Sequence, residues 1–210
     1  MSGQNLAERL FSEAESIETI GAWLDSLAAS ERLAQCRSLN RPQQRRLYEL
    51  AEKAPALSLA DFVPTDVGNL VEVIHEGRNT LPLPQTFKLF QKRFCRPADG
   101  SERLFGYNEG ATRGLIGPGY FVMIPTKGKP AWEARGSLVV DYFQVPDDLV
   151  VSGWPKVVPN HVGLQVLVYH QTRDYMRKVS RNVTIGAAYK GEKCLHQWFI
   201  LDRQDAGERP

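Results

Sequence analysis

The sequence predicts an α+β fold, in which short N-terminal helices pack on a mainly antiparallel, strongly curved sheet or partly closed β-barrel. Alanine, leucine, glutamate and arginine dominate residues 1–60, whereas glycine, valine and aromatic residues dominate from about residue 86 onward. Sixteen of the twenty aromatic residues lie between Phe87 and Phe199, which places the strands in the C-terminal part. Strands and helices do not alternate there, so a parallel, doubly wound sheet is not expected.

Composition divides the chain into four segments. We predict a helical segment over residues 1–54, a proline-containing connector over 55–85, a β-rich domain over 86–203 and a polar tail over 204–210. Four prolines interrupt the connector and prevent long regular elements. Residues 67–75 within it fit either a short strand or one to two helical turns.

Apolar residues recur at helical spacing in the first segment, which predicts an amphipathic stripe. The members of this stripe are Leu6, Leu10, Ile17, Ile20, Leu24 and Leu27. Ser30 and Asn40 are predicted N-caps of the next two helices, because their side-chain oxygens can accept from free backbone N–H groups. Three or four short helices result.

The C-terminal part contains several runs of β-branched and aromatic residues. The predicted strands are 119–125, 137–145 and 164–169, with a helix over 173–181. A terminal hairpin pairs residues 183–189 with 194–201 around a Lys-Gly-Glu turn. Residues 105–130 are rich in glycine and proline, which predicts tight turns between short strands.

Charge and cysteine content exclude some classes of protein. The chain has 26 basic and 24 acidic residues among 210, a balance that predicts neither nucleic-acid nor membrane binding. Cys36, Cys95 and Cys194 lie far apart and show no metal-ligand spacing. We expect free thiols, a cytoplasmic location and, for Cys95, a buried, inert side chain.

Four common catalytic and nucleotide-binding motifs are absent from the sequence. The glycine-rich stretch fits neither GxxxxGK[ST] nor GxGxxG, and the chain contains no GxSxG or HExxH. The four histidines lack ligand spacing, so no metal site is predicted. Neither a cofactor nor an oligomeric state follows from the sequence.

Polar side chains set among aromatic residues are the best candidates for a ligand site, because ligand pockets combine apolar walls with a few polar groups. The candidates are Tyr107, Asn108, Arg113, Trp132, Asp141, Trp154, His161, His170, Arg173 and Arg177. In the predicted helix, Arg173 and Arg177 are one turn apart and could clamp an anionic group.

Six short segments occur in the order found in one family of bacterial proteins. They are GRNTLP at 77–82, FQKRFCRP at 90–97, GYN at 106–108, GPGYF at 117–121, GWP at 153–155 and WFIL at 198–201. Over about residues 57–203 the chain resembles this uncharacterised family. The resemblance implies a shared fold and no particular reaction, cofactor or partner.

Three functions remain open at this point. The leading hypothesis is non-catalytic binding of a small organic molecule, an anion being one option, in a pocket of the β-rich domain. The second is an enzyme that uses Asp141, His161 or His170 as general acid or base and Tyr107 as a hydrogen-bond donor. The third is a protein-interaction module that docks through the N-terminal helices.

Overall fold

Residues 5–204 are described by the structure, a computed structural model, and residues 205–210 of the predicted tail lie outside that range. Within the described part, eight antiparallel strands form a closed barrel in chain order. The strands are β1 Val73–Asn79, β2 Leu89–Cys95, β3 Leu104–Glu109, β4 Phe121–Pro125, β5 Leu138–Asp141, β6 Thr172–Lys178, β7 Val183–Lys190 and β8 Lys193–Gln204. The predicted α+β class and curved antiparallel sheet are confirmed, and the sheet closes because β1 pairs with β8.

Seven α-helices accompany the barrel within residues 5–204. They are α1 Leu6–Arg9, α2 Ile17–Ser26, α3 Ala29–Ser38, α4 Arg41–Leu50, α5 Arg113–Ile116, α6 Pro130–Glu133 and α7 Gln165–Val168. Asn40 caps α4 as predicted, accepting from the Gln43 backbone N–H at 3.1 Å. The cap predicted at Ser30 is wrong, because α3 begins at Ala29 and its N-cap is Ala28, two residues before Ser30. None of these helices combines the length and apolarity needed to cross a membrane.

The helical stripe is buried against the outer face of the barrel. Leu6, Leu10, Ile17, Ile20 and Leu24 belong to one apolar cluster together with residues of β7 and β8. The barrel side of this cluster includes Val183, Ile185, Ala187, Trp198 and Ile200. The apolar surface of the first four helices is therefore used within the chain, and burying it stabilises the barrel wall.

Two predicted elements change type in the structure. The predicted strand 164–169 contains the helix α7, and the predicted helix 173–181 is largely the strand β6. On β6, inward-facing Thr172, Asp174 and Met176 alternate with side chains directed outward. The buried charge of Asp174 hides this period-two pattern, which otherwise identifies a strand.

The barrel starts earlier in the chain than the β-rich segment predicted over 86–203. Its first strand, β1, lies within the stretch 55–85 that composition marks as a connector. The hairpin of β7 and β8 is confirmed, with Gly191 in the left-handed region at φ 56° in its turn.

One end of the barrel interior is filled by aromatic side chains. The ring centroid of Phe62, from the segment before β1, lies 5.1 Å from those of His75 and Phe94. Phe94 in turn lies 5.3 Å from Phe121, which continues the stack into the barrel. These side chains close the end at which β1 begins and β2 finishes.

A buried ion pair fastens the helices to the barrel. The Arg32 Nε atom on α3 lies 2.8 Å from the Asp202 Oδ1 atom on β8, and the Asp202 side chain is fully buried. Breaking a buried pair from one side leaves a charge in a medium of low dielectric constant, which is strongly destabilising.

Arg32→Ala is therefore expected to lower the free energy of unfolding by about 3–5 kcal/mol, as measured by urea denaturation. The control Arg45→Ala removes an ion pair with Glu49 in which the two side chains are 63% and 48% exposed. The control is expected to change stability by less than about 0.5 kcal/mol. Equal losses in the two variants would contradict the anchoring role of Arg32.

Candidate functional site

The other end of the barrel encloses a cavity of about 400 Å³. This volume lies within the range of about 300–1,000 Å³ that is usual for small-molecule sites. An eight-stranded barrel is just wide enough to be filled by side chains or to hold one small ligand. Most of the wall is apolar, and its members include Phe90, Ile116, Val168, Tyr169 and Phe199.

Two loops interlock to shape the entrance. The Gly119 backbone N–H, in the connection from β3 to β4, donates to the Gln165 side-chain oxygen on α7 at 2.8 Å. Gly119 has φ 54°, and a Cβ atom there would lie 2.4 Å from the Tyr169 ring. Because glycine has no Cβ atom, the Tyr169 ring can pack directly against Gly119 and form part of the cavity wall.

A polar cluster forms the floor of the cavity. We call it the floor cluster, and it consists of Lys92 on β2, Asn108 on β3, Tyr142 after β5 and Asp174 on β6. The Lys92 Nζ atom lies 3.2 Å from Asp174 Oδ2, donates to Asn108 Oδ1 at 2.9 Å and also donates to the Tyr142 hydroxyl. Asn108 Nδ2 donates to the Tyr142 hydroxyl at 3.1 Å and to the Gly119 carbonyl at 2.9 Å.

The ion pair of the floor cluster spans the barrel. In the ring of eight strands, β2 and β6 lie on opposite sides, and Lys92 meets Asp174 between them. The Lys92 side chain is only 2% exposed and that of Asp174 only 9%. The cluster therefore separates the filled end of the interior from the open end.

Aromatic rings surround the Lys92 ammonium group. Nζ lies 4.9 Å from the ring centroids of Phe121 and Phe199, 5.0 Å from that of Tyr142 and 5.8 Å from that of Phe90. The electron-rich faces of such rings attract a cation and partly offset the loss of its hydration.

Burial shifts the proton equilibria of this cluster. Loss of hydration lowers the pKa of Lys92, and the nearby Asp174 carboxylate offsets only part of this shift. Burial likewise raises the pKa of Asp174, although the Lys92 ammonium opposes it. The pKa of Tyr142 is raised well above its ordinary value, chiefly by burial, so its hydroxyl remains a hydrogen-bond donor.

Two of the predicted ligand-binding residues, Asn108 and Arg113, line the cavity. Asn108 belongs to the floor cluster. Arg113 lies on α5, and its Nε atom is 2.7 Å from Glu109 Oε1, which also lines the cavity. The other eight predicted residues are outside the lining and fall into smaller groups on the outer face and in loops.

Tyr107 and Trp154 pack together outside the barrel. Their ring centroids are 4.9 Å apart, and Trp154 Nε1 donates to Glu72 Oε1 at 2.7 Å. This contact holds the long connection between β5 and β6 against the wall.

Asp141, Arg173 and Trp132 form a second group on the outer face. Arg173 Nε lies 3.2 Å from Asp141 Oδ1, and its guanidinium carbon lies 4.5 Å from the Trp132 ring centroid. Asp141 also accepts from the Phe143 backbone N–H at 3.1 Å. These contacts fix the end of β5.

The predicted clamp of Arg173 and Arg177 does not form, because both residues are on the strand β6 rather than on a helix. Arg177 instead donates to the Tyr48 carbonyl at 2.8 Å, which ties the barrel to α4. His161 and His170 face each other in the connection between β5 and β6, with ring centroids 6.3 Å apart.

Cys95 is buried on the outer side of β2 in a cluster with Phe105 and Val122. Burial raises the pKa of its thiol to about 12, so little thiolate exists at neutral pH. Within the described part of the chain, no three His, Cys, Asp or Glu side chains come together to hold a metal ion.

Sequence reasoning missed three members of the floor cluster as site residues: Lys92, Tyr142 and Asp174. One pattern could have identified Lys92. It lies between Phe90 and Phe94 on the inward face of a strand, where a charged residue needs a buried partner. No local pattern identifies that partner, because it lies 82 positions later in the chain.

Comparison with protein-family models, curated proteins and solved structures found no significant match.

The first prediction for this site concerns the ion pair. Lys92→Met and Asp174→Leu are each expected to lower the free energy of unfolding by about 3–5 kcal/mol, since each leaves one buried charge alone. The double variant is expected to be more stable than either single variant, because no charge remains. Urea denaturation of all four proteins measures this coupling.

Lys178→Met is the matched control, because Lys178 pairs with Asp61 at 2.7 Å in a partly exposed position on the same strand as Asp174. Its expected cost is about 1 kcal/mol or less. Strictly additive losses from Lys92→Met and Asp174→Leu would show that the two charges do not interact.

The second prediction concerns pH. The pKa of Asp174 is raised above 3.8 in the folded protein, so the folded state binds more protons just above that pH, and stability falls as pH rises through this window. The pKa of Lys92 is lowered below 10.5 in the folded protein, so the unfolded state binds more protons just below that pH. Stability therefore increases as the pH rises towards 10.5.

Both pH dependences are measured by urea denaturation of wild type and of the Lys92→Met, Asp174→Leu double variant at a series of pH values. Subtracting the unfolding free energy of the variant from that of wild type cancels the contributions of other groups. If this difference in free energy is constant with pH, the folded protein does not shift the pKa of either Lys92 or Asp174.

Proposed function

We propose that this barrel binds one small, largely apolar organic molecule in the cavity at its open end, without catalysing a reaction on it. The observation that carries this proposal is a cavity of about 400 Å³ with apolar walls and one polar cluster at its floor. Small-molecule sites combine these same features.

The contrast between the two ends of the barrel supports the proposal. Protein interiors are close-packed, and a void costs dispersion contacts along its whole lining. Aromatic side chains fill the end near Phe62, yet the opposite end is left open over a far larger volume than one water molecule occupies. A ligand would restore the missing contacts.

The charges of the site favour an uncharged ligand with one hydrogen-bonding group. The ammonium of Lys92 and the carboxylate of Asp174 neutralise each other, and Arg113 is paired with Glu109. An anionic ligand would have to compete with Asp174 for Lys92, so the anionic option has less support. Asp174 can accept, and Tyr142 can donate, a hydrogen bond towards the cavity.

The entrance also favours an apolar molecule. Leu83, Phe87, Leu89, Leu167 and Val168 line the cavity and are between 37% and 76% exposed. A ring of exposed apolar side chains around a cavity is a common feature of ligand-binding grooves.

The two alternative functions have less support. Asp141, His161, His170 and Tyr107 lie outside the cavity lining, so no shared substrate position connects them. The apolar stripe of the N-terminal helices faces the barrel, which removes the main reason to propose it as a docking surface.

The proposal is tested with N-phenyl-1-naphthylamine, an uncharged apolar probe whose fluorescence rises in apolar sites. We expect saturable binding of one probe per chain and a rise in melting temperature, because a ligand that binds only the folded state stabilises it. Ala188→Trp, which places a large side chain in the cavity wall, is expected to weaken binding about tenfold or more.

Ala131→Trp introduces the same side chain at an exposed site on α6, away from the cavity, and is expected to leave binding unchanged. Failure of the folded wild type to bind the probe, or equal weakening by the two variants, would count against a ligand site in the barrel.

A further inference from the structure

We propose that Lys92 captures apolar aldehydes that enter the cavity, forming a reversible imine between its Nζ atom and the carbonyl carbon. This inference rests on the proposed function, because the aldehyde must occupy the same cavity. It adds a substrate class and a covalent step that ligand binding alone does not require.

The amine of Lys92 is buried at the wall of the cavity. Lys92 lines the cavity, yet its side chain is only 2% exposed and its Nζ atom lies among four aromatic rings. Among the lysines of residues 5–204, Lys92 alone is buried. An apolar aldehyde in the cavity would meet this amine, whereas the other lysines are accessible to water.

Asp174 provides the proton acceptor that the reaction needs. A lysine attacks a carbonyl group only as the neutral amine. The Asp174 Oδ2 atom lies 3.2 Å from Nζ and can take one proton from the ammonium group. Burial lowers the pKa of Lys92 and raises that of Asp174, and both shifts favour this transfer.

The reaction balances without an oxidant, a reductant or a second substrate. The neutral amine adds to the carbonyl carbon, a C–N bond forms, and a proton moves from nitrogen to oxygen to give a carbinolamine. The Asp174 carboxyl group then protonates the departing hydroxyl, which leaves as water as the C=N bond forms. The products are a protonated imine, the Asp174 carboxylate and one water molecule.

Tyr142 is positioned to assist the addition step. Its hydroxyl accepts from Lys92 Nζ, lines the cavity and keeps its proton because burial raises its pKa. This O–H donates to Asn108 Oδ1 over a long distance of 3.4 Å, and it can exchange that bond for a shorter one to the carbonyl oxygen, where negative charge develops. The protonated imine keeps the Asp174 carboxylate as its counter-ion, so the site stays neutral overall.

A purely structural role for the ion pair explains less of the geometry. A buried ion pair is often no more stabilising than apolar residues of similar volume. A structural pair also needs no adjoining space, whereas Lys92 and Asp174, although almost fully buried, both line the wall of the cavity.

The test exposes the folded full-length protein to a limiting amount of octanal with sodium cyanoborohydride, which reduces an imine to a stable secondary amine. Peptide mass mapping then compares the rate of alkylation at each lysine. We expect Lys92 to react at least about tenfold faster than any other lysine, because binding in the cavity holds the carbonyl group beside its Nζ atom.

Lys92→Arg keeps a cation at this position but cannot form an imine, and it is expected to abolish the fast reaction while other lysines react as before. 1-Octanol, which has the same chain and no carbonyl group, is tested separately for displacement of N-phenyl-1-naphthylamine.

The outcomes separate the two proposals. Displacement of the probe by 1-octanol with fast labelling of Lys92 supports both. Displacement without preferential labelling of Lys92 overturns the imine inference and leaves ligand binding standing. If wild type neither binds the probe nor labels Lys92 preferentially, both proposals fail.

Discussion

The pairing of β1 with β8 is the constraint on which the other features of this molecule depend. Residues 74–79 pair with residues 199–204, so the sheet closes and leaves no free edge along these strands. Closure fixes which side chains face inward, because a shift of one residue would turn every side chain of a strand to the other face. On β2 the inward side chains are Phe90, Lys92 and Phe94, so the alternation that builds the core also carries a lysine into it.

A lysine inside the barrel requires a counter-ion and hydrogen-bond acceptors from the other strands. An isolated ammonium group in an apolar interior is very costly, and such groups are paired or lose their proton. Asp174 provides a counter-ion from the opposite side of the barrel, while Asn108 and Tyr142 accept hydrogen bonds from the same Nζ atom. The cavity lies on one side of the resulting cluster, and the aromatic stack near Phe62 fills the barrel on the other side. One buried charge pair thus accounts for both the polar floor and the chemistry proposed for it.

The sequence predicted those features that depend on neighbours in the chain. The hairpin of β7 and β8 follows from a turn glycine between two β-rich runs, and the helical stripe follows from spacing. Closure of the barrel and the membership of the floor cluster were not predictable, because the cluster joins residues from four separate parts of the chain. The strand β6 was mistaken for a helix, since Asp174 places a charge on the face that is normally apolar. Asn108 was predicted as a site residue from its place beside the glycine-rich turns, whereas Lys92 was not.

The protonation and burial of Lys92 test this account most directly. Protein labelled with ¹⁵N at the lysine side chains gives a ¹H–¹⁵N signal for an ammonium group only where exchange with water is slow. We predict one protected Nζ signal near neutral pH, which disappears in Lys92→Arg and shifts when N-phenyl-1-naphthylamine binds. Fast exchange at every lysine in the folded wild type would contradict the claim that an ammonium group is buried on the floor of a ligand cavity.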